Sequence, residues 1–194
     1  MLKNIQNTIK KNPILRPFIE VSVFVVIIFG FHYLYRYWAY QLQFWPVYDE
    51  VYAIRSWLTD IVYRNSVWAL SHLTPYEFTT NDEQQTIYIA GGFVGINHSC
   101  SGFKQFLQWI VLMVLYPGPW KQKLWYIPLG LFVVYLINLL RIFGLSVQLF
   151  YYPQYFDFAH DYIYRPLFYA AMFVLWVIWN EKIRKKEPIQ KMAN

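Results

Sequence analysis

Long apolar stretches alternate along this chain with short polar and basic ones, and four of the apolar stretches are candidates to cross a membrane: 17–38, 101–116, 124–150 and 164–180. A spanning helix takes roughly 20 apolar residues. The first stretch opens at Pro17 and closes on the aromatic pair Tyr37-Trp38. The second is short on this scale, and the third is long enough to tilt or to project beyond the bilayer. Pro117-Gly118-Pro119 ends the second and turns the chain back.

Between the first and second stretches lies a more polar segment, 41–98, with two different periodicities. Over 48–72 the apolar residues Val51, Ile54, Trp57, Leu58, Ile61, Val62, Val67 and Leu70 recur near helical spacing, with Asp49, Glu50, Arg55, Asp60 and Arg64 between them. This pattern predicts an amphipathic helix lying on the membrane surface or over the bundle. Its charges argue against further crossings. Two short β-prone runs, Thr86–Ala90 and Phe93–Asn97, then flank Gly91-Gly92. They predict a hairpin with a primed turn. The expected fold is therefore an all-α polytopic membrane protein of about four transmembrane helices, with an amphipathic helix and a small β-hairpin outside the bilayer, forming one membrane domain over 1–194.

Composition supports the membrane class. Of 194 residues 57% are hydrophobic, 22% aromatic and 14% charged, whereas a soluble domain carries about 25% charged residues. Aromatic residues crowd the ends of the apolar stretches, as in interfacial belts. The net charge of +6 does not point to nucleic acid, because its carriers flank apolar segments. They are Lys3, Lys10, Lys11 and Arg16, then Lys121 and Lys123, then Lys182, Arg184, Lys185, Lys186 and Lys191. Cytoplasmic loops have this bias. The expectation is a multi-pass protein of the cell inner (cytoplasmic) membrane, with both termini and the basic tail 181–194 cytoplasmic. Residues 41–98 and the loop 151–163 then face the other side. Residues 18–35 are too long for the apolar core of a cleavable signal, and no small-residue cleavage site follows them.

One cysteine allows neither an intrachain disulfide nor a multi-cysteine metal site. That residue, Cys100, lies in Asn97-His98-Ser99-Cys100-Ser101-Gly102, where the polar segment gives way to the second apolar stretch. A lone cysteine is often a small buried hydrophobe. Here it stands between two serines at a helix start, with Ser99 and Ser101 available as caps. The positive end of the helix favours thiolate over thiol, while burial favours the thiol, so a second positive group is needed. Arg141 interrupts the third stretch at matching height. At 1.5 Å rise per residue it stands roughly 25 Å above Leu124, and Cys100 roughly 24 Å above Tyr116. An intramembrane arginine must be paired or face a wet cavity, unless it snorkels to the interface. Asn138, one turn earlier, can orient the guanidinium or reach the site itself.

His160, in Phe158-Ala159-His160-Asp161-Tyr162, is a candidate proton carrier with Asp161 as its orienter. Arg165 is a competing cation at nearly the same depth. His98 stands two residues before Cys100 and is expected to point elsewhere; His32 and His72 are less informative. Four scattered histidines give no metal-ligand spacing. No phosphate loop, zincin helix or hydrolase elbow is present, so neither a metal nor another cofactor is expected. The pairs Asp49-Glu50 and Asp82-Glu83 read as solvated charges.

Three motifs, Cys100-Ser101-Gly102, Asn138 through Ile142, and His160-Asp161, occur in that order at one membrane face. Over about 86–180 the chain resembles the exosortase/archaeosortase family of membrane cysteine transpeptidases. The resemblance implies a substrate tethered in the lipid bilayer by a C-terminal sorting signal: a short motif, a transmembrane helix and a basic cluster. It implies cleavage near the motif and transfer of the new C-terminus to a surface acceptor. Cys100 would then be the nucleophile, Arg141 the charge stabiliser and His160 the general base and acid, with Ser101-Gly102 supplying backbone N–H groups. Many relatives have about eight membrane helices; the four expected here raise an accessory membrane protein as a partner. Two other classes remain open: a membrane thiol protease without transfer activity, and a non-catalytic assembly or transport subunit with Arg141 lining a polar path.

Overall fold

A computed structural model describes residues 16–183. Lys3, Lys10, Lys11 and residues 184–194 of the basic tail lie outside the described residues. The first helix, α1 (Arg16–Tyr40), is 25 residues long, about 37 Å at the usual rise. Most of its surface is exposed apolar side chain; Phe24 and Ile28 are its buried residues facing the bundle. Such a helix is solvated by lipid.

Helix α2 (Tyr48–Leu73) follows, with Asp49 and Glu50 in its first turn, charges that suit the helix dipole. It buries Val51, Thr59, Val62, Tyr63, Ser66 and Leu70, whereas Ile54 and Trp57 are exposed. Its amphipathic character is as expected, but two of its predicted apolar positions face outward.

Three short strands come next: β1 (Phe78–Asn81), β2 (Thr86–Ile89) and β3 (Gly92–Gly95), antiparallel in that order. The expected hairpin is β2–β3, and β1 enlarges it to a three-stranded sheet. Its turn is centred on Ala90-Gly91, both at positive φ (50° and 77°), as a type I′ turn requires. The expected turn pair was one residue later. Gly92 instead pairs with Ile89 in the ladder, and a Cβ there would press on Leu149 at 2.9 Å. Its lack of a side chain serves docking of the sheet on the neighbouring helix.

The remaining helices form the bundle. Helix α3 (Phe103–Leu115) has 13 residues, about 20 Å, less than the roughly 30 Å bilayer core. Helix α4 (Trp120–Tyr151) has 32 residues and α5 spans Arg165–Ile178. Three helices are long and apolar enough to cross a membrane: Pro17–Tyr40, Trp120–Tyr151 and Pro153–Ile183. With the short apolar α3 and the small sheet, this is a mostly α-helical, multi-pass membrane architecture. The segment 151–163, expected as a loop, is wound instead into a 3-10 turn (Pro153–Tyr155), one α turn (Phe156–Phe158) and a π-helical stretch (Ala159–Tyr164) that runs into α5.

Two apolar clusters hold these parts together. One, including Phe24, Trp109, Met113, Tyr126, Met172 and Trp179, joins α1, α3, α4 and α5. The other, including Val62, Leu70, Ile87, Ile89, Val94, Ile142 and Leu149, seats α2 and the sheet against one end of α4. We call that the capped end. At the opposite end, buried Lys123 donates to the carbonyls of Tyr116 (2.6 Å) and Val114 (3.3 Å). It caps the C-terminus of α3, so this lysine is engaged internally and is not a free loop charge.

Candidate functional site

Cys100 is delivered by a tightly bonded turn between β3 and α3. The Asn97 side chain accepts from the backbone N–H of Ser99 (2.8 Å), and the Asn97 carbonyl accepts from the N–H of Cys100 (2.8 Å). Ser101 Oγ donates to the His98 carbonyl at 2.8 Å and accepts from the N–H of Phe103 at 3.2 Å. The second contact satisfies a first-turn donor of α3. Of the two candidate caps, Ser101 takes this role and Ser99 does not.

Gly102 adopts φ +77°, and a Cβ there would stand 3.2 Å from Nδ2 of Asn138. Only glycine takes this left-handed backbone without cost while admitting so close a neighbour. Asn138 uses that approach to donate from Nδ2 to the Cys100 carbonyl at 2.7 Å. Asn138 therefore reaches the cysteine's backbone and does not orient the guanidinium.

Arg141, one turn further along α4, is buried, as are Cys100, Ser101 and Asn138. Its Nη2 lies 3.8 Å from Cys100 Sγ and 3.0 Å from His160 Nε2. A guanidinium only donates, so Nε2 accepts and the His160 proton resides on Nδ1. Nδ1–H donates to Asp161 Oδ1 at 2.7 Å, and the same oxygen forms an ion pair with Arg165 Nη1 at 3.1 Å. Cysteine, arginine, histidine, aspartate and arginine thus form one continuous polar chain. Among the described residues no carboxylate lies within ion-pair distance of Arg141, so its charge is not neutralised by direct pairing.

The π-helical stretch positions the histidine. The Phe156 ring lies nearly parallel to His160, 6.4 Å between centroids. Gly144 of α4 admits the Tyr164 hydroxyl, which a Cβ at that position would meet head-on. These two supports, and the bond from Ser101 Oγ to the His98 carbonyl, had no signal in the sequence beyond a glycine in an apolar helix. Arg165, expected as a competing cation for the thiol, is instead the partner of Asp161.

The other histidines stand apart. His98 Nε2 is 3.3 Å from Ser56 Oγ, and its ring meets Tyr52 edge-on. Burial, and secondly the charge of Arg55, lower its pKa from the ordinary histidine value. His72 stacks on Trp68 near the end of α2. His32 Nδ1 lies 2.9 Å from Lys104 Nζ. Among the described residues no group of three or more His, Cys, Asp or Glu side chains is placed to hold a metal ion.

No curated protein and no solved structure matches the chain. A family model described as transmembrane exosortase (Exosortase_EpsH) matches residues 12–182. That range takes in α1 to α5 and all three strands, including α1, α2 and β1, which the three short motifs alone left uncovered. Since the match extends over nearly the whole sequence, the chain belongs to the transmembrane exosortase family.

Proposed function

We propose that this protein is a membrane cysteine transpeptidase that cleaves C-terminal sorting signals, with Cys100 as nucleophile, Arg141 as anion stabiliser and His160 as general base and acid. The observation that carries this reading is the single guanidinium nitrogen, Arg141 Nη2, in reach of both Cys100 Sγ and His160 Nε2. The capped end then faces away from the cytoplasm, and the basic ends of the chain face inward. In that orientation the site stands at the membrane–water interface, where a scissile bond just above a substrate's own membrane helix would lie.

The reaction begins with the thiol proton passing to His160 Nε2 and the thiolate attacking the peptide carbonyl. Once protonated, Nε2 no longer accepts from Arg141. The Nη2 donor is thereby released to the thiolate and then to the oxyanion, alongside the backbone N–H groups of Ser101 and Gly102. The C–N bond breaks as the amine takes the proton from His160, leaving a thioester on Cys100. An incoming nucleophile next loses its proton to His160, attacks the thioester and expels the Cys100 sulfur, which takes that proton back from His160. Asp161 holds Nδ1–H throughout, keeping Nε2 the reactive nitrogen. The substrate's membrane helix is held by packing in lipid.

The test is co-expression with an exported protein carrying a short motif, a membrane helix and a basic cluster at its C-terminus. The expected result is cleavage of that protein and a thioester adduct at Cys100, both absent in Cys100→Ala. Unchanged processing in Cys100→Ala overturns the enzyme reading and leaves the assembly-subunit alternative. A processed substrate with a free C-terminus, not one joined to an acceptor, assigns hydrolysis in place of transfer.

A further inference from the structure

Beside the cysteine site, on the α1 flank of the bundle, lies a second polar cluster, of which the proposed chemistry touches only Arg165. Lys104, in the first turn of α3, is half-buried and sends Nζ to His32 Nδ1 of α1 at 2.9 Å. The Tyr169 hydroxyl of α5 stands 3.5 Å from the same nitrogen. The charges of Arg36 and Arg165 both bear on the Lys104 ammonium. Three helices thus bring three cations and an imidazole to one place. Because Nδ1 of His32 accepts from the ammonium, its proton lies on Nε2, a further donor.

Among the described residues this charge is not balanced: no carboxylate pairs with Lys104 or Arg36, and Asp161, which reaches Arg165, is shared with His160. Elsewhere Arg36 has the Tyr40 ring at 5.9 Å, and Lys104 the Tyr35 ring at 5.9 Å. Mutually repelling cations at membrane depth need a counter-charge.

Level and exposure indicate which anion. Arg36 lies about 6 Å and His32 about 12 Å below the capped-end terminus of α1 by helical rise, the depth of headgroup and glycerol. Arg36 and Arg165 are exposed, as are the neighbouring α1 aromatics Tyr33 and Tyr37, so the cluster opens to the surrounding lipid. Guanidinium forks, an ammonium and an imidazole N–H match the oxygens of a phosphate better than a single carboxylate.

We propose that His32, Arg36, Lys104 and Arg165 form a binding site for the phosphate of a phospholipid headgroup in the leaflet at the capped end. The site meets the thiol chemistry only through Arg165, which also pairs with Asp161, and it does not need the thiol itself, so it should persist in Cys100→Ala.

The experiment is native mass spectrometry of the full-length Cys100→Ala protein in detergent, titrated in parallel with phosphatidylglycerol and with inorganic phosphate. The variants are Arg36→Gln, Arg36→Gln/Lys104→Gln, and Lys121→Gln at the opposite end as control. Arg36 is exposed, so its variant is safe for folding. Arg165 is left intact because Asp161 uses it. The expected result is lipid binding weakened several-fold by Arg36→Gln and about tenfold or more by the double variant, and unchanged by Lys121→Gln. Equal lipid affinity in wild type and Arg36→Gln/Lys104→Gln overturns the proposal. Displacement of the lipid by millimolar inorganic phosphate overturns the lipid source and assigns the site to a soluble phosphate. Preferential binding of an acidic peptide at the same residues overturns the phosphate assignment.

Discussion

Asn138 donates from Nδ2 to the backbone carbonyl of Cys100 across a 2.7 Å hydrogen bond, so α4 fixes the cysteine through its main chain while Arg141 meets its sulfur. The thiol is therefore held from two levels of one helix face, with 0% exposure at Asn138 and 7% at Arg141. Replacing Asn138 by Leu leaves a buried carbonyl without its donor, a loss of about 1–3 kcal/mol. Substrate processing should fall at least tenfold with the protein still in the membrane, and the Cys100 alkylation rate should change in the same variant. Unaltered processing and alkylation would remove Asn138 from the site.

Gly102→Ala tests the same contact from the other side. The left-handed φ costs an alanine about 1–2 kcal/mol, and the added methyl sits 3.2 Å from the Asn138 amide. The expected outcome is a lower melting temperature and reduced processing together. Asn138→Ala should relieve the steric part, so the double variant should lose less stability than the sum of the singles.

Arg141→Lys should lose activity on the order of 10²-fold, although charge is kept. One guanidinium nitrogen reaches both the sulfur and the imidazole, and a lysine ammonium on its flexible stem does not hold a donor in that fixed position. Rates of substrate processing at matched expression check this. Full activity in the lysine variant would exclude a role for the planar group.

Asp161→Asn should be milder than His160→Gln. The first leaves the proton carrier in place and weakens its orientation, whereas the second removes the carrier, a loss of roughly 10²–10⁴-fold. Single-turnover processing with the two variants side by side decides the ranking.

Acidification should loosen the turn that carries Cys100. Burial and Arg55 lower the His98 pKa, so the unfolded chain binds a proton there more readily than the folded one. Stability then rises with pH across this window and is lost as pH falls below the ordinary histidine value of about 6.5. Thermal melts of the wild type between pH 8 and pH 5 should show the decline, and His98→Gln should flatten it. Equal slopes in the two proteins would dismiss His98 as the group responsible.

Much of this architecture is legible in the sequence. The apolar runs and their aromatic ends mark the membrane helices, because lipid imposes length and composition on any helix that crosses it. The matching heights of Cys100 and Arg141 were also legible, because helical rise turns residue counts into depth. By contrast, β1, the turn at Ala90-Gly91 and the helical winding of 151–163 were not. Their conformations are set by what they pack against: Gly92 joins its strand because Leu149 fills the space above it.

Sequence alone thus determined that this is a membrane protein with a thiol and a guanidinium at one level. Tertiary structure decided which nitrogen meets the sulfur, that Arg165 serves Asp161, that Asn138 holds a carbonyl, and that Lys104 joins His32. The reason is physical. Depth along a helix follows from one-dimensional spacing, whereas the rotation of each helix about its axis depends on packing against every neighbour at once.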